Sequence, residues 1–74
     1  MSLCSILSHR RQQLNLTLKD LSKKTDISLT SLGFYESGER LPTVVNLNKL
    51  CEALDLDYGE IYDVLLKEKE ERNK

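Results

Sequence analysis

The sequence predicts an all-α fold of five short helices, and three observations carry that expectation. Residue types that cap helix starts recur along the chain at Thr17, Ser28, Thr43 and Asp57. After each of them, apolar residues return at three- and four-residue spacing, the period of one helix face. No segment sustains the apolar–polar alternation of a half-buried strand.

The first helix carries Leu3, Leu7 and Leu14 on one face, with Cys4 and Arg11 beside them, and runs to about Asn15. Thr17 caps the second. Asp20, three residues on, makes a short capping box, and Leu21 and Thr25 turn inward. Asp26 suits the turn that follows, because Asp tolerates the left-handed conformation better than most residues. Ser28 caps a third helix whose inward stripe is Ile27, Leu32 and Tyr35, and Gly38 ends it.

"ERLPT" is a loop, since Pro42 biases Leu41 away from helix. Thr43 caps the fourth helix, in which Val44, Leu47, Leu50, Cys51 and Leu54 recur at helical spacing. Asp57-x-x-Glu60 is the strongest capping box of the chain. After it Tyr58, Ile61, Tyr62, Leu65 and Leu66 form the stripe of a fifth helix. The tail "KEKEERNK" has no apolar residue, so a globular unit is expected over residues 1–66, with a charged tail or an extension of the fifth helix over 67–74.

A chain of 74 residues supports one core, and 39% hydrophobic with 31% charged residues is an ordinary globular composition. No apolar run is long enough for a membrane span or a signal peptide, which gives a cytoplasmic expectation and no membrane partner. Cys4 and Cys51 lack the paired spacing of a metal site, and His9 is the single histidine, so both thiols read as buried small hydrophobes and no metal or cofactor is expected. The sequence offers no Ser/His/Asp set and no phosphate-cradling glycine loop, and a chain this short leaves little room for a pocket of ~300 Å³. An enzyme is excluded on these grounds.

The net charge of −1 hides an asymmetry. Residues 1–43 hold six basic side chains against four acidic, whereas residues 44–74 hold five against eight. One face of the molecule is therefore suited to an anion.

Only "TDIS" separates the second and third helices, and a connection so short forces them to cross sharply. From "LTLKDLSKKTDISLTSLGFYESGERLPTVVNLNKLCEALDL" outward, residues 3–66 resemble the five-helix lambda-repressor, Cro and XRE family of helix-turn-helix proteins. The resemblance rests on Thr17, Leu21-Ser22, Ile27-Ser28, Glu36-x-Gly38, Pro42-Thr43 and Ala53-Leu54 followed by Asp57. It implies a transcriptional regulator of double-stranded DNA, most simply a repressor, with the third helix in the major groove.

The same resemblance implies base contacts from Ser28, Leu29, Thr30, Ser31, Gly33 and Phe34. Phosphate contacts fall to Arg10, Thr17, Leu18 through its backbone N–H, Lys19, Arg40 and Thr43. Arg11 and Glu36 would form a structural ion pair between the first and third helices. Lys23 and Lys24 read as solvated. Two positions depart from the family pattern: Leu18 replaces its usual Gln, and Asp26 its usual turn Gly.

The expected reading helix holds none of the Arg, Asn or Gln residues that grip purine edges, only hydroxyls and apolar groups that meet thymine methyls. An A·T-containing, palindromic operator follows, with DNA shape adding discrimination. Gly33 costs roughly 1 kcal/mol of helix stability relative to Ala, which close approach to the groove floor would justify. Paired half-sites call for a homodimer, for which Tyr58, Tyr62, Leu65 and Leu66 are the expected surface. The rival reading is a protein-interaction module of the same fold, contacting a protein partner through Leu29 and Phe34.

Overall fold

Each of the first four helices stops where the backbone turns left-handed. The computed structural model describes residues 2–72. In it α1 (Leu3–Gln13) is followed by Asn15 at φ 58°, and α2 (Leu18–Thr25) by Asp26 at φ 59°. Gly38 at φ 83° ends α3 (Leu29–Ser37), and Asp55 at φ 54° ends α4 (Val44–Leu54). Three of these four stops use Asn or Asp, the non-glycine residues for which this conformation costs least. At α1 and α4 the chain closes in the same way: Leu16 N–H reaches the Arg11 carbonyl at 3.1 Å and Leu56 N–H the Cys51 carbonyl at 2.9 Å.

Hydroxyl caps open the helices. The side chains of Ser2, Thr17, Ser28 and Thr43 accept from the backbone N–H groups of Ser5, Asp20, Ser31 and Asn46. At Thr17 the box is reciprocal, because the Asp20 carboxylate also accepts from Thr17 N–H at 2.9 Å. At the expected box of α5 (Tyr58–Arg72), Asp57 accepts from Glu60 N–H at 3.1 Å. Among the described residues there are five helices and no strand.

Eight leucines with side chains essentially removed from water form the centre: Leu3, Leu7, Leu21, Leu32, Leu47, Leu50, Leu54 and Leu65. Each contributes about 1.5–3 kcal/mol relative to an exposed position. Around them α1 lies against α3, α4 and α5, while α2 bridges α3 and α4. Thr25 is the buried polar residue of this core; its hydroxyl donates to the Leu21 carbonyl at 2.7 Å and accepts from Ile27 N–H at 3.3 Å, so no hydrogen-bonding group is stranded.

Three expectations are corrected. Leu14 is 38% exposed rather than inward, because α1 ends at Gln13, before the apolar row reaches it. Val44, at the first turn of α4, is exposed as well. Leu65 is sealed by its own chain at 0% exposure and is no interface residue.

The expected limit at residue 66 falls inside α5, which continues to Arg72. Two contacts tie this charged extension down. Both oxygens of the Glu68 carboxylate accept from Leu3 N–H at 3.3 Å, and Arg72 donates to the carbonyls of Gly38 and Glu39. The rest of the expected tail, residues 73 and 74, lies outside the described residues, as does residue 1.

Candidate nucleic-acid interface

Helices α2 and α3 are joined by Asp26, Ile27 and Ser28 alone. The turn is held from inside: Ile27 is buried, and the Ser22 hydroxyl donates to its carbonyl. Leu32 and Tyr35 anchor α3 in the core, and the Tyr35 hydroxyl accepts from Asn46 Nδ2 at 2.9 Å, tying α3 to the first turn of α4. Anchored on that side, α3 must turn its other face to solvent.

The outer face carries Leu29 at 48% exposure, then Thr30, Gly33 and Phe34, with Ser37 one turn further. Thr30 and Ser37 are exposed, Gly33 and Phe34 half-buried. Ser28 and Ser31 are engaged with each other: Ser28 Oγ accepts from Ser31 N–H at 3.1 Å, and the two hydroxyls lie 3.0 Å apart. A methyl group added at Gly33 would meet nothing within 4 Å, so the helix backbone is open to approach there. Ser37 was not singled out in the sequence, although it stands eight residues after Leu29 on the same helical face.

The ion pair beneath this helix is bidentate. Arg11 Nε and Nη2 donate to the two Glu36 oxygens at 2.8 and 3.0 Å, and Nη1 donates to the Leu16 carbonyl at 2.7 Å. Both side chains are largely covered, at 16% and 12% exposure. Arg11 thus fixes the end of α1 and the last turn of α3 in one geometry.

The cations expected at phosphate separate into two groups. Lys19 stands exposed in the first turn of α2, and Arg40 is exposed in the loop after α3. The Arg40 guanidinium lies 4.5 Å over the Phe34 ring. Arg10 faces elsewhere: its Nε donates to the Leu54 carbonyl at 2.8 Å, and Nη2 lies 3.9 Å from Asp55. That site is the C-terminal end of α4, about 15 Å along the helix from its Thr43 end at a rise of 1.5 Å per residue. A cation donating at a helix C-terminus acts as a cap, so in the free protein Arg10 is engaged there, whereas Lys19 and Arg40 are exposed. The link joins residues 44 apart, and no local pattern announces it.

Thr17 and Thr43 are exposed helix caps, and Leu18 is partly buried against the core. Asp20 belongs to the Thr17 cap. The Thr17 backbone N–H, which donates to its carboxylate, and then the neighbouring Thr17 hydroxyl hold its pKa below the ordinary aspartate value, with smaller help from Lys23 and Lys24. Burial pushes the Cys51 thiol up. Among the described residues no group of three or more His, Cys, Asp or Glu could hold a metal ion, and no helix is long and apolar enough to cross a membrane.

On α5 the stripe divides. Ile61 and Leu65 are buried, while Leu66 is 41% exposed and the rings of Tyr58 and Tyr62 stack at 5.6 Å between centroids, both half-buried. Tyr58, Tyr62 and Leu66 follow one another at four-residue spacing along the outer edge of the helix.

Against this geometry stand two likenesses. The sequence model of the Helix-turn-helix family matches residues 7–61. The chain is also 42% identical over 55 residues to the cryptic phage CTXphi transcriptional repressor RstR of Vibrio cholerae serotype O1, a match covering 74% of this chain and 49% of that protein. The chain therefore aligns with about half the length of this relative.

Proposed function

The chain belongs to the helix-turn-helix family of the lambda-repressor, Cro and XRE type, and from that premise we propose that it binds double-stranded DNA sequence-specifically in the cytoplasm and represses transcription. The family match and the repressor relative support a DNA-binding transcriptional regulator. The observation that carries the finer reading is the outer face of α3, where Leu29, Thr30, Gly33 and Phe34 lie outside the buried core, with Arg40 over the Phe34 ring and Lys19 exposed in the first turn of α2.

In this reading α3 enters the major groove. Leu29 meets thymine methyls, and Thr30 and the serines at 28 and 31 offer hydroxyls to base edges. Lys19, Arg40 and the helix starts at Thr17, Leu18 and Thr43 take the phosphates. The operator is A·T-containing and palindromic, bound by a homodimer whose contact is Tyr58, Tyr62 and Leu66. The reading favours repression because the relative with which the chain aligns is named a transcriptional repressor, and a helix-turn-helix unit bound across a promoter blocks access by occupancy.

The 48% exposure of Leu29, next to a half-buried Phe34, favours one other reading, a protein-binding derivative of the same fold. Selection of bound duplexes from a random pool separates the two. A recovered A·T-containing inverted repeat supports DNA reading, and no retardation of any duplex at low salt supports the protein partner.

A further inference from the structure

We propose that Phe34 is the platform that aims Arg40 at the DNA backbone, so that the two residues work as one unit rather than as a base reader and a separate phosphate contact. The inference rests on the DNA-binding reading above. Gly38, at φ 83°, turns the chain back over the end of α3, and the Arg40 backbone N–H then donates to the Phe34 carbonyl at 3.3 Å. That bond sets residue 40 over residue 34, and the guanidinium carbon comes to rest 4.5 Å from the centre of the ring. From the other side Arg72 donates to the carbonyls of Gly38 and Glu39, which steadies the loop just before Arg40.

A guanidinium lying on a ring uses its face and keeps its in-plane N–H fork, the part that matches a phosphate, free. Among the described residues the ion pairs are Arg10 with Asp55 and Arg11 with Glu36, and neither engages Arg40. Arg40 is therefore a partly ordered cation whose side-chain donors meet no hydrogen-bond or ion-pair partner among the described residues. A long side chain ordered before contact gives up part of its rotamer freedom in advance, and binding then loses less. The ring face under the guanidinium is covered, so it does not meet a thymine methyl. Arg40 touches DNA in this account, and Phe34 acts through it as a positioning residue.

A double-mutant cycle on the selected duplex tests this, using the wild type, Phe34→Leu, Arg40→Gln and the double variant, each first checked for native helix content. Phe34→Leu should weaken binding about two- to fivefold per subunit of the bound dimer, the size of an exposed cation–π contact. In the Arg40→Gln background it should weaken it no further. Phe34→Tyr, which keeps the ring, should bind as the wild type does. Arg40→Gln, which removes one phosphate contact from each of two subunits, should make the slope of log affinity against log salt shallower by about 1.8, and Phe34→Leu should leave it unchanged because the cation remains.

Equal penalties for Phe34→Leu in both backgrounds would overturn the proposal, since Phe34 would then contact DNA on its own account. A measurement without DNA stands beside the cycle. Arg40 side-chain protons should show upfield ring-current shifts in the wild type and in Phe34→Tyr but not in Phe34→Leu, and unshifted protons in the wild type would overturn the stack. A wild type that binds no duplex would remove the DNA reading and this role with it, whereas the ring-current shift would still report the stack itself.

Discussion

Replacing Gly33 by Ala separates folding from DNA reading, because the two should respond with opposite signs. Gly33 lies inside α3, and the only glycine at positive φ among the described residues is Gly38. A Cβ added at Gly33 meets nothing within 4 Å, so Ala fits the free protein without strain. The gain should be about 1 kcal/mol, part of it from the reduced freedom of the unfolded chain. In a domain of 74 residues that raises Tm by roughly 4–8 °C. In the groove the same methyl would stand between helix backbone and base edges, where overpacking costs about 1–3 kcal/mol and a 1.4 kcal/mol loss is tenfold in affinity. Thermal unfolding followed by circular dichroism reads the first effect, and fluorescence anisotropy on the selected duplex reads the second. A lowered Tm would refute the argument from open space. A raised Tm with undiminished affinity would refute close approach of α3 to the groove floor.

Glu36→Ala strands the largely covered Arg11 and should cost about 3 kcal/mol in urea unfolding, the lower end of the range for breaking a buried pair; a loss under about 1 kcal/mol would show the pair to be effectively solvated. Leu66→Glu should convert a micromolar dimer to a monomer in sedimentation while leaving helix content intact, and a monomeric wild type would contradict the dimer outright. Asp20 should titrate by NMR below the ordinary aspartate value of 3.8. Its folded-state pKa is depressed, so its stabilising contribution is present above the unfolded value and disappears as pH falls through the folded one; a midpoint at or above 3.8 would contradict the capping box.

Helix boundaries were legible because local chemistry sets them. A hydroxyl at Thr17, Ser28 or Thr43 satisfies an N–H three residues on whatever the rest of the chain does, and Asp26 and Gly38 accept the left-handed turn on their own. The inward face of α3 was legible for a related reason, since Ile27, Leu32 and Tyr35 leave one apolar side. On α5 the apolar stripe is broader than one packing face. Which edge is covered depends on how α5 lies against α1 and α4, and that geometry buries Leu65 while leaving Leu66 in water.

Arg10 and Arg40 show the same limit in the site. Both are cations in the basic half of the sequence, yet one caps α4 and the other rests on Phe34. Composition treats them alike; only the path of the chain separates them. The Arg72 contact to the Gly38 and Glu39 carbonyls was equally hidden, because a tail without apolar residues has no periodicity to reveal what it touches.

The salt dependence of binding to the selected duplex decides whether this chain acts on DNA. With Lys19 and Arg40 on each of two subunits, four cation–phosphate contacts predict that log affinity falls against log salt with a slope of about −3.6. Affinity that does not change with salt, or no binding to any duplex at low salt, would contradict a DNA-binding function for this chain.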